Sequence, residues 1–280
     1  MLAALSIGCA HAAVVTYLGV QGPKPDFQNL TPPALTGTAA TEANAFKAKS
    51  EELGRQEFEG ASAGNYGFTY TGGAASVIAG PGTFPVPPLA PPNAAELPRL
   101  MSEESFDPTT GRYNMTTGLN GANGKWIEAR ADFTITFSGG VTALSFFVTD
   151  LGDFDGQVFV DLYHGNEITT RQLVNEEALE DAQGDPVRDQ MGRAIANGNL
   201  LFFGATSDNG DDFTKVVFRI NQFVNDQGQV PNTDYIGFDS IFVGKYTGTP
   251  GGGNTPEPAS LALVGLALAA GGLARRRAKR

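Results

Sequence analysis

The sequence contains very little cysteine, histidine and tryptophan. Among its 280 residues there are one cysteine, Cys9, one tryptophan, Trp126, and two histidines, His11 and His164. One thiol cannot form an internal disulfide, and no Cys/His nucleophile is expected because Cys9 lies in an N-terminal stretch with the pattern of a removable leader. The H-E-x-x-H and P-loop motifs are also missing. These absences predict a non-enzymatic protein whose fold depends on its core, or on its core and a bound metal.

Basic residues are scarce as well. The chain has 19 Lys and Arg against 30 Asp and Glu, for a net charge of −11, and five of the basic residues lie in its last six positions. Without those five residues the net charge is −16. A chain this acidic repels polyanions, which argues against non-specific binding to nucleic acid or to an anionic membrane surface. Divalent cations are more suitable partners.

The N-terminal residues have the pattern of a secretory signal peptide. Residues 2–10 are largely apolar, and Ala10-His11-Ala12 forms an A-x-A cleavage site. The sequence therefore predicts a signal peptide at 1–12, whose removal takes Cys9 with it. No Lys or Arg precedes the apolar stretch, so a basic n-region is missing and the true start codon is expected upstream.

The rest of the chain has the composition and periodicity of an all-β protein. Its 36 glycines, 17 prolines and 19 phenylalanines are typical of short strands joined by many turns. Residues 131–137 alternate apolar and polar side chains, as half-buried strands do. Further strands are predicted at 66–70, 141–149, 157–163, 168–174, 200–205, 214–220 and 235–243. Because helical crossovers are missing between most of them, the pattern predicts an antiparallel β-sandwich.

The same patterns divide the chain into five segments. The signal peptide is followed by an arm and helix at 13–56, a sandwich domain at 57–247, a Gly-rich spacer at 248–254 and a C-terminal segment at 255–280. Within the arm, apolar residues at helical spacing predict one helix over 38–53, with Thr41 as its N-cap. Two irregular insertions are predicted in the sandwich domain, a proline-rich one at 80–98 and a charged one at 175–196.

The C-terminal segment combines three features in order. The triplet Pro256, Glu257, Pro258 comes first, an uncharged apolar run at 259–274 follows, and a basic cluster that includes Arg275, Arg276 and Arg277 comes last. A helix over this run extends about 24 Å, short of the roughly 30 Å of a bilayer core. The run predicts a marginal transmembrane helix whose basic end stays on the cytoplasmic side.

This arrangement resembles the PEP-CTERM sorting signal of Gram-negative bacteria. The resemblance implies that the protein is exported, is held for a time in the inner membrane by its C-terminal helix, and is cut near the Pro-Glu-Pro triplet by an exosortase. It also implies a final location at the cell surface or in the extracellular matrix of a biofilm.

A second resemblance covers most of the sandwich region. It is carried by blocks in their order along the chain: EFEG at 57–60, FTITF at 133–137, FFVTDLGDFDG at 146–156, NLLFFG at 199–204, FTKVVF at 213–218 and GFDSIFVG at 237–244. These look like the recurring blocks of PEP-CTERM exoproteins with a jelly-roll, lectin-like sandwich. The resemblance implies that fold, and the two insertions depart from its compact form.

Two groups of acidic residues are candidates for binding calcium, which takes six to eight oxygen ligands. Asp150, Asp153 and Asp155 fall in one glycine-containing loop and are either calcium ligands or part of a solvated acidic turn. In jelly-roll carbohydrate-binding modules a structural calcium often joins the first and last strands, and Glu59 and Asp239 occupy comparable places here. The same two interpretations apply to that pair.

Trp126 is the candidate ligand-binding residue. Its indole, or the rings of Tyr66, Tyr70, Tyr113 and Tyr163, could stack against a sugar, although a core position is the alternative for Trp126. The expected function is that of a non-enzymatic envelope or matrix protein that binds exopolysaccharide with the help of calcium. The alternatives are a secreted glycan-active hydrolase and a purely structural matrix protein.

Overall fold

The computed structural model of the protein describes residues 14–21, 34–80, 97–102, 112, 115, 124–151, 156–174, 199–208, 210–222 and 235–248. The predicted signal peptide, the 175–196 insertion, most of the 80–98 insertion and the sorting segment lie outside these ranges. Within them, no helix has the length and apolar character needed to span a bilayer.

Thirteen strands and one helix make up the described residues. In chain order they are β1 (Val14–Gln21), α1 (Gly37–Lys47), β2 (Ser50–Gln56), β3 (Phe68–Tyr70), β4 (Gly73–Ala79), β5 (Arg99–Ser102), β6 (Lys125–Ala129), β7 (Phe133–Phe137), β8 (Ala143–Thr149), β9 (Gly156–His164), β10 (Glu167–Val174), β11 (Leu200–Ser207), β12 (Lys215–Gln222) and β13 (Ile236–Tyr246).

The strands pair antiparallel and form two sheets. The seven-stranded sheet has the order β1-β11-β8-β13-β6-β5, and β2 pairs with the later part of β13. The six-stranded sheet has the order β10-β9-β12-β7-β4-β3. The predicted all-β fold with two antiparallel sheets and one helix is therefore confirmed.

The two sheets pack face to face around one hydrophobic core. Between ring centroids, Phe133 of the six-stranded sheet lies 5.1 Å from Phe238 of the seven-stranded sheet, and Phe146 lies 4.8 Å from Phe218. These rings are almost completely buried, and edge-to-face contacts add to the free energy gained by burying aromatic surface. The phenylalanines of the alternating strands thus hold the two layers together.

Helix α1 covers part of the outer face of the seven-stranded sheet. Phe46 packs there against Tyr17, Phe202 and Phe242, with centroid distances of 5.7, 5.9 and 5.3 Å. The helix can approach this closely because β11 has a glycine beneath the ring. A Cβ atom on Gly204 would lie 2.8 Å from Cδ2 of Phe46.

The residue boundaries of the helix and of the sandwich differ from the predicted ones. The helix ends at Lys47 rather than at residue 53, and Thr36 occupies its N-cap position. Thr41 lies inside the helix, where its hydroxyl donates to the carbonyl oxygen of Gly37. The segment 13–56 is not an arm outside the sandwich, because β1 pairs with β11 and β2 with β13.

The first strand begins, and the last strand finishes, at the same end of the seven-stranded sheet, which we call the tail end. Val14 pairs with Ser207, and the amides of Ser207 and Tyr246 donate to the carbonyl and hydroxyl oxygens of Thr142. The opposite end, which we call the far end, contains Leu200, which pairs with the last residue of β8. The segment at 249–280 therefore follows a strand that finishes at the tail end.

Candidate functional site

Asp150, the one carboxylate of the predicted loop site that the structure describes, forms a buried ion pair. Its Oδ2 accepts a hydrogen bond from Nη1 of Arg112 at 3.0 Å, and Nε of Arg112 donates to Oε1 of Glu128 at 2.7 Å. Asp150 and Glu128 are both buried. The guanidinium therefore supplies positive charge at the position where calcium was predicted. Asp153 and Asp155 lie outside the described residues.

Asp239 is a buried carboxylate at an irregular point of β13. The pairing of β13 with β8 shifts register between Asp239 and Phe242, and Ser240 has a left-handed φ of 53°. The side chain of Asp239 is 1% exposed. Its Oδ2 accepts the amide N–H of Met115 at 2.7 Å, and its Oδ1 accepts that of Ser240 at 2.6 Å. The strand irregularity thus places a carboxylate inside the protein with hydrogen bonds to both oxygens.

Glu57 and Glu59 lie near Asp239. Burial raises the pKa of the Asp239 carboxyl well above its usual range, and the charges of Glu57 and Glu59 raise it further, against the two amide hydrogen bonds. Burial also raises the pKa of Glu59, whose Oε1 accepts the amide N–H of Lys125 at 3.0 Å. The predicted pair of Glu59 and Asp239 therefore belongs to one acidic region, in which the charge of Lys125 opposes the rise in the pKa of Glu59.

Glu57 is a member of this group that the sequence analysis missed. Its Oε1 lies 3.4 Å from both the Ser240 hydroxyl and Nε of Arg55. Its Oε2 is buried and accepts no hydrogen bond from any residue that the structure describes. The two glutamates flank Phe58, which is fully buried. Glu57 is two residues from Glu59 in the Glu-Phe-Glu block, and this closeness in sequence was the signal that could have added it to the group.

The donor chemistry of this group fits a hard cation, although the group is not a finished metal site. Within the described ranges, no three Asp, Glu, His or Cys side chains are arranged to hold a metal ion. Asp239, Glu57 and Glu59 nevertheless offer carboxylate oxygens, and Oε2 of Glu57 is buried with no hydrogen-bond donor among the described residues. Calcium prefers such oxygens and fills its six to eight positions with carbonyls and water as well.

The aromatic residues considered for sugar stacking are buried. Trp126 on β6 is 1% exposed, and Tyr66, Tyr70 and Tyr163 are also buried. The hydroxyl groups of Tyr66 and Tyr70 donate to main-chain carbonyl oxygens at 2.6 and 2.8 Å. These rings are part of the packed interior, so the core alternative describes Trp126. Tyr113 lies outside the described residues.

A short motif in the connection between β2 and β3 matches a hydrolase pattern in sequence but not in structure. The residues 60–64 read Gly-Ala-Ser-Ala-Gly, which matches the G-x-S-x-G pattern of serine hydrolases. That pattern acts at a strand-to-helix turn, whereas Ser62 forms an isolated bridge with Asn65 in the connection between β2 and β3. His164 lies at the end of β9, and its Nδ1 is 2.9 Å from the carbonyl oxygen of Asp212. The strand-turn-helix context of a hydrolase nucleophile is thus not present around Ser62.

Comparisons with known proteins identify one segment of the chain. No curated protein sequence matches this chain. A crystal structure of the K2 cleaved adhesin domain of Lys-gingipain aligns over 68% of this chain and 96% of that domain, at 14% identity and a TM-score of 0.32. Residues 254–278 match the PEP-CTERM protein-sorting motif, and this range contains the Pro-Glu-Pro triplet and the three consecutive arginines. The chain therefore carries a PEP-CTERM sorting motif, which implies export, a membrane-anchored intermediate and processing by an exosortase.

Proposed function

We propose that this chain is a non-enzymatic exported protein of a Gram-negative bacterium that binds exopolysaccharide, with the assistance of calcium, at the cell surface or in the extracellular matrix. The observation that carries the proposal is the sorting motif at 254–278, which follows closely after β13 finishes at Tyr246. A motif in this position delivers the whole preceding sandwich to the outside of the cell. The inner membrane and the exosortase are transient partners on that route.

The strand order supports a jelly-roll, lectin-like version of the sandwich. The eight consecutive strands from β6 to β13 divide into two sets of four, with the orders β6-β13-β8-β11 and β7-β12-β9-β10. This division is that of a double Greek key, the arrangement that defines a jelly roll. Jelly rolls occur in many lectin domains, and the step from this fold to glycan binding is an analogy.

Calcium would act on the connection between the early and late strands. Asp239 belongs to β13, and Glu57 and Glu59 follow directly after β2, which pairs with β13. A divalent cation held by these carboxylates would offset their mutual repulsion and fix the segment after β2 to the last strand. Because the cation binds the folded chain and not the unfolded one, it would raise the free energy of unfolding.

A glycan array, probed with the purified exported protein in calcium and in EDTA, tests the proposal. We expect binding to bacterial exopolysaccharides that is strongest in calcium, without release of reducing sugar from the bound glycans. Release of reducing sugar would instead identify a glycan-active hydrolase. Absence of binding to every glycan, with the protein folded, would favour a purely structural matrix protein.

A further inference from the structure

We propose that β1 pairs antiparallel with β1 of a second copy of this chain, so that two seven-stranded sheets join into one continuous sheet across a two-fold axis at Thr16. The partner that this sheet edge takes is therefore the same segment of another exported molecule. The inference goes beyond the proposed function and does not depend on glycan binding.

β1 is an edge strand, and among the described strands it pairs with β11 alone. At its far end the amide of Val20 donates to the Thr38 hydroxyl at 2.9 Å, and that hydroxyl donates to the carbonyl oxygen of Val20 at 3.0 Å. The main-chain groups of Val20 therefore point away from β11. Those groups alternate between the two sides of an antiparallel strand, so the groups of Val14, Thr16 and Leu18 also point to the open edge.

The tail end of β1 shows the same orientation. Val14 lies opposite Ser207, whose amide donates to the carbonyl oxygen of Thr142 rather than to β1. Within the part of the chain that the structure describes, the main-chain groups of Val14, Thr16 and Leu18 have no hydrogen-bond partner on the open side. The segment 14–18 is thus ready to pair with another strand.

The other described edges have features that hinder pairing with a second chain, and β1 has none of them. Short strands, charged side chains and bulges all have this effect. β5 and β3 have four and three residues, and β2 contains three charged side chains. β10 is as long as β1, but it contains Glu167 and Arg171 and shifts register between Ile168 and Thr170. The eight residues of β1 include no charge and no proline.

The sequence of the open segment is suited to pairing with itself. It reads Val14-Val15-Thr16-Tyr17-Leu18, and a two-fold axis at Thr16 places Val14 opposite the partner's Leu18 and Val15 opposite the partner's Tyr17. Pairs of apolar, β-branched and aromatic side chains stabilise neighbouring strands. Val15 is 41% exposed, and the pairing covers it. The outward-facing residues of the two copies would exchange about six main-chain hydrogen bonds.

Net charge opposes this association and gives it a recognisable salt dependence. Each chain has a net charge of −11, so two copies repel one another, although the pairing segment itself is uncharged. The Debye length falls from about 30 Å at 0.01 M to about 8 Å at 0.15 M ionic strength. Added salt is therefore expected to strengthen the dimer, whereas salt would weaken an association that depended on opposite charges.

The pairing has consequences for a protein that works outside the cell. An antiparallel pair directs the tail ends of the two copies in opposite directions, so the two C-terminal segments leave the dimer on opposite sides. A dimer also contains two copies of any ligand site, and two linked sites bind a repeating polymer more tightly than one site does. The released protein is therefore the form to be tested.

Sedimentation velocity of the exported protein over a wide range of concentration, at low and high salt, tests the proposal. We expect a monomer–dimer equilibrium that salt shifts toward the dimer. Val15→Lys is expected to raise the dimer Kd by at least about tenfold, even though it makes the chain less negative. Ile168→Lys is the matched control, because Ile168 lies on the edge strand β10 and is 40% exposed. This control is expected to associate as the wild type does.

A disulfide tests the register of the pair. In a Cys9→Ser background, Thr16→Cys places the only thiol of the chain on the two-fold axis. Opposed residues of a hydrogen-bonded antiparallel pair have Cα atoms about 5.5 Å apart, a separation that a disulfide can bridge. Mild oxidation is therefore expected to join two copies. Leu18→Cys in the same background is not expected to do so, because its two thiols would be about 14 Å apart.

Several results would overturn the inference. A monomer at every concentration and salt would do so, and it would leave the edge to a strand of another protein. A dimer that persists in Val15→Lys, or that dissociates in Ile168→Lys, would place the interface elsewhere. Joining of copies through Leu18→Cys and not through Thr16→Cys would reject the axis at Thr16, and this second measurement does not require Val15→Lys to fold. A monomer that binds glycan would reject this inference alone, and a dimer that binds none would reject the proposed function alone.

Discussion

Asp161 and Arg171 form a two-pronged ion pair between β9 and β10. Nε of Arg171 donates to Oδ1 of Asp161 at 2.6 Å, and Nη2 donates to Oδ2 at 2.8 Å. On the other neighbouring strand, Nε of Arg219 donates to the same Oδ2 at 2.7 Å. Asp161 is fully buried, so one carboxylate connects three strands of the six-stranded sheet.

This arrangement predicts that replacing Asp161 lowers the free energy of unfolding more than replacing Arg171 does. Asp161→Ala is expected to lower the free energy of unfolding by about 3–5 kcal/mol, because Arg219, with a side chain only 12% exposed, then lacks this carboxylate. Arg171→Gln is expected to cost about 1 kcal/mol or less, since Arg171 is 46% exposed and Arg219 still pairs with Asp161. Urea unfolding of both variants measures the difference, and equal costs would contradict it.

The contact between Gly204 and Phe46 predicts a steric effect. Gly204→Ala is expected to destabilise the protein by about 1–3 kcal/mol, because the new methyl group overlaps the Phe46 ring. Gly60→Ala is a matched control with no atom within 4 Å of the added Cβ. Combining Gly204→Ala with Phe46→Leu is expected to cost less than the sum of the two changes, as thermal unfolding of the four-member cycle will show. Strict additivity would mean that the two positions do not interact.

The surroundings of Asp132 predict that its contribution to the stability of the folded protein depends on pH. Burial raises its carboxyl pKa above 3.8, although its Oδ1 accepts the Ile220 amide at 2.8 Å and Arg219 lies nearby. A raised pKa in the folded state means that the folded protein binds the proton more tightly, so this residue's contribution to stability falls as the pH rises above 3.8. Asp132→Asn keeps an acceptor for the amide and cannot ionise. Its stability relative to the wild type is therefore expected to increase as the pH is raised.

The measurement is the difference in urea midpoint between Asp132→Asn and the wild type across the acidic range. Taking the difference removes the titration of the other acidic residues. A difference that stays constant with pH, or that moves in favour of the wild type as pH rises, would show that the carboxylate is not penalised in the folded state.

Calcium is expected to stabilise the folded protein through Asp239, Glu57 and Glu59. At a hundredfold excess over Kd the gain is about 2.7 kcal/mol, which corresponds to a rise in Tm of roughly 5–10 °C for a domain of this size. Asp239→Asn and Glu57→Gln are expected to lose most of this rise. Asp150→Asn is expected to lower Tm, because it weakens the pair with Arg112, and to keep the full response to calcium.

Scanning calorimetry in calcium and in EDTA separates the two groups of acidic residues. A Tm that does not change with calcium would count against any structural calcium site. A response that disappears in Asp150→Asn and persists in Asp239→Asn would place the cation in the 150–155 loop instead.

The sequence predicted the core strands well and the edges of the fold poorly. Apolar and polar side chains alternate in 131–137 and in the strands after it, because one face of each strand is buried. This alternation can be seen in the local sequence alone. β2 has the sequence Ser-Glu-Glu-Leu-Gly-Arg-Gln, and its first four residues, 50–53, were included in the predicted helix because Glu and Leu are common in helices. It forms a strand because β13 offers a partner, and such distant pairing leaves no local trace in the sequence.

The candidate sites show the same limit. Glu59 and Asp239 were associated through a resemblance, while the place of Glu57 beside Asp239 depends on the pairing of β2 with β13. Trp126 could be a platform or a core residue on composition alone, and its burial became clear only from the packing of β6.

Exopolysaccharide binding in calcium and in EDTA, followed on the same sample by an assay for reducing ends, tests the proposed function most directly. The wild type is expected to bind in calcium, to bind about tenfold more weakly in EDTA, and to release no reducing ends. Asp239→Asn is expected to bind with an affinity that EDTA does not change. Release of reducing ends, or the absence of binding by folded wild-type protein in calcium, would contradict the proposal.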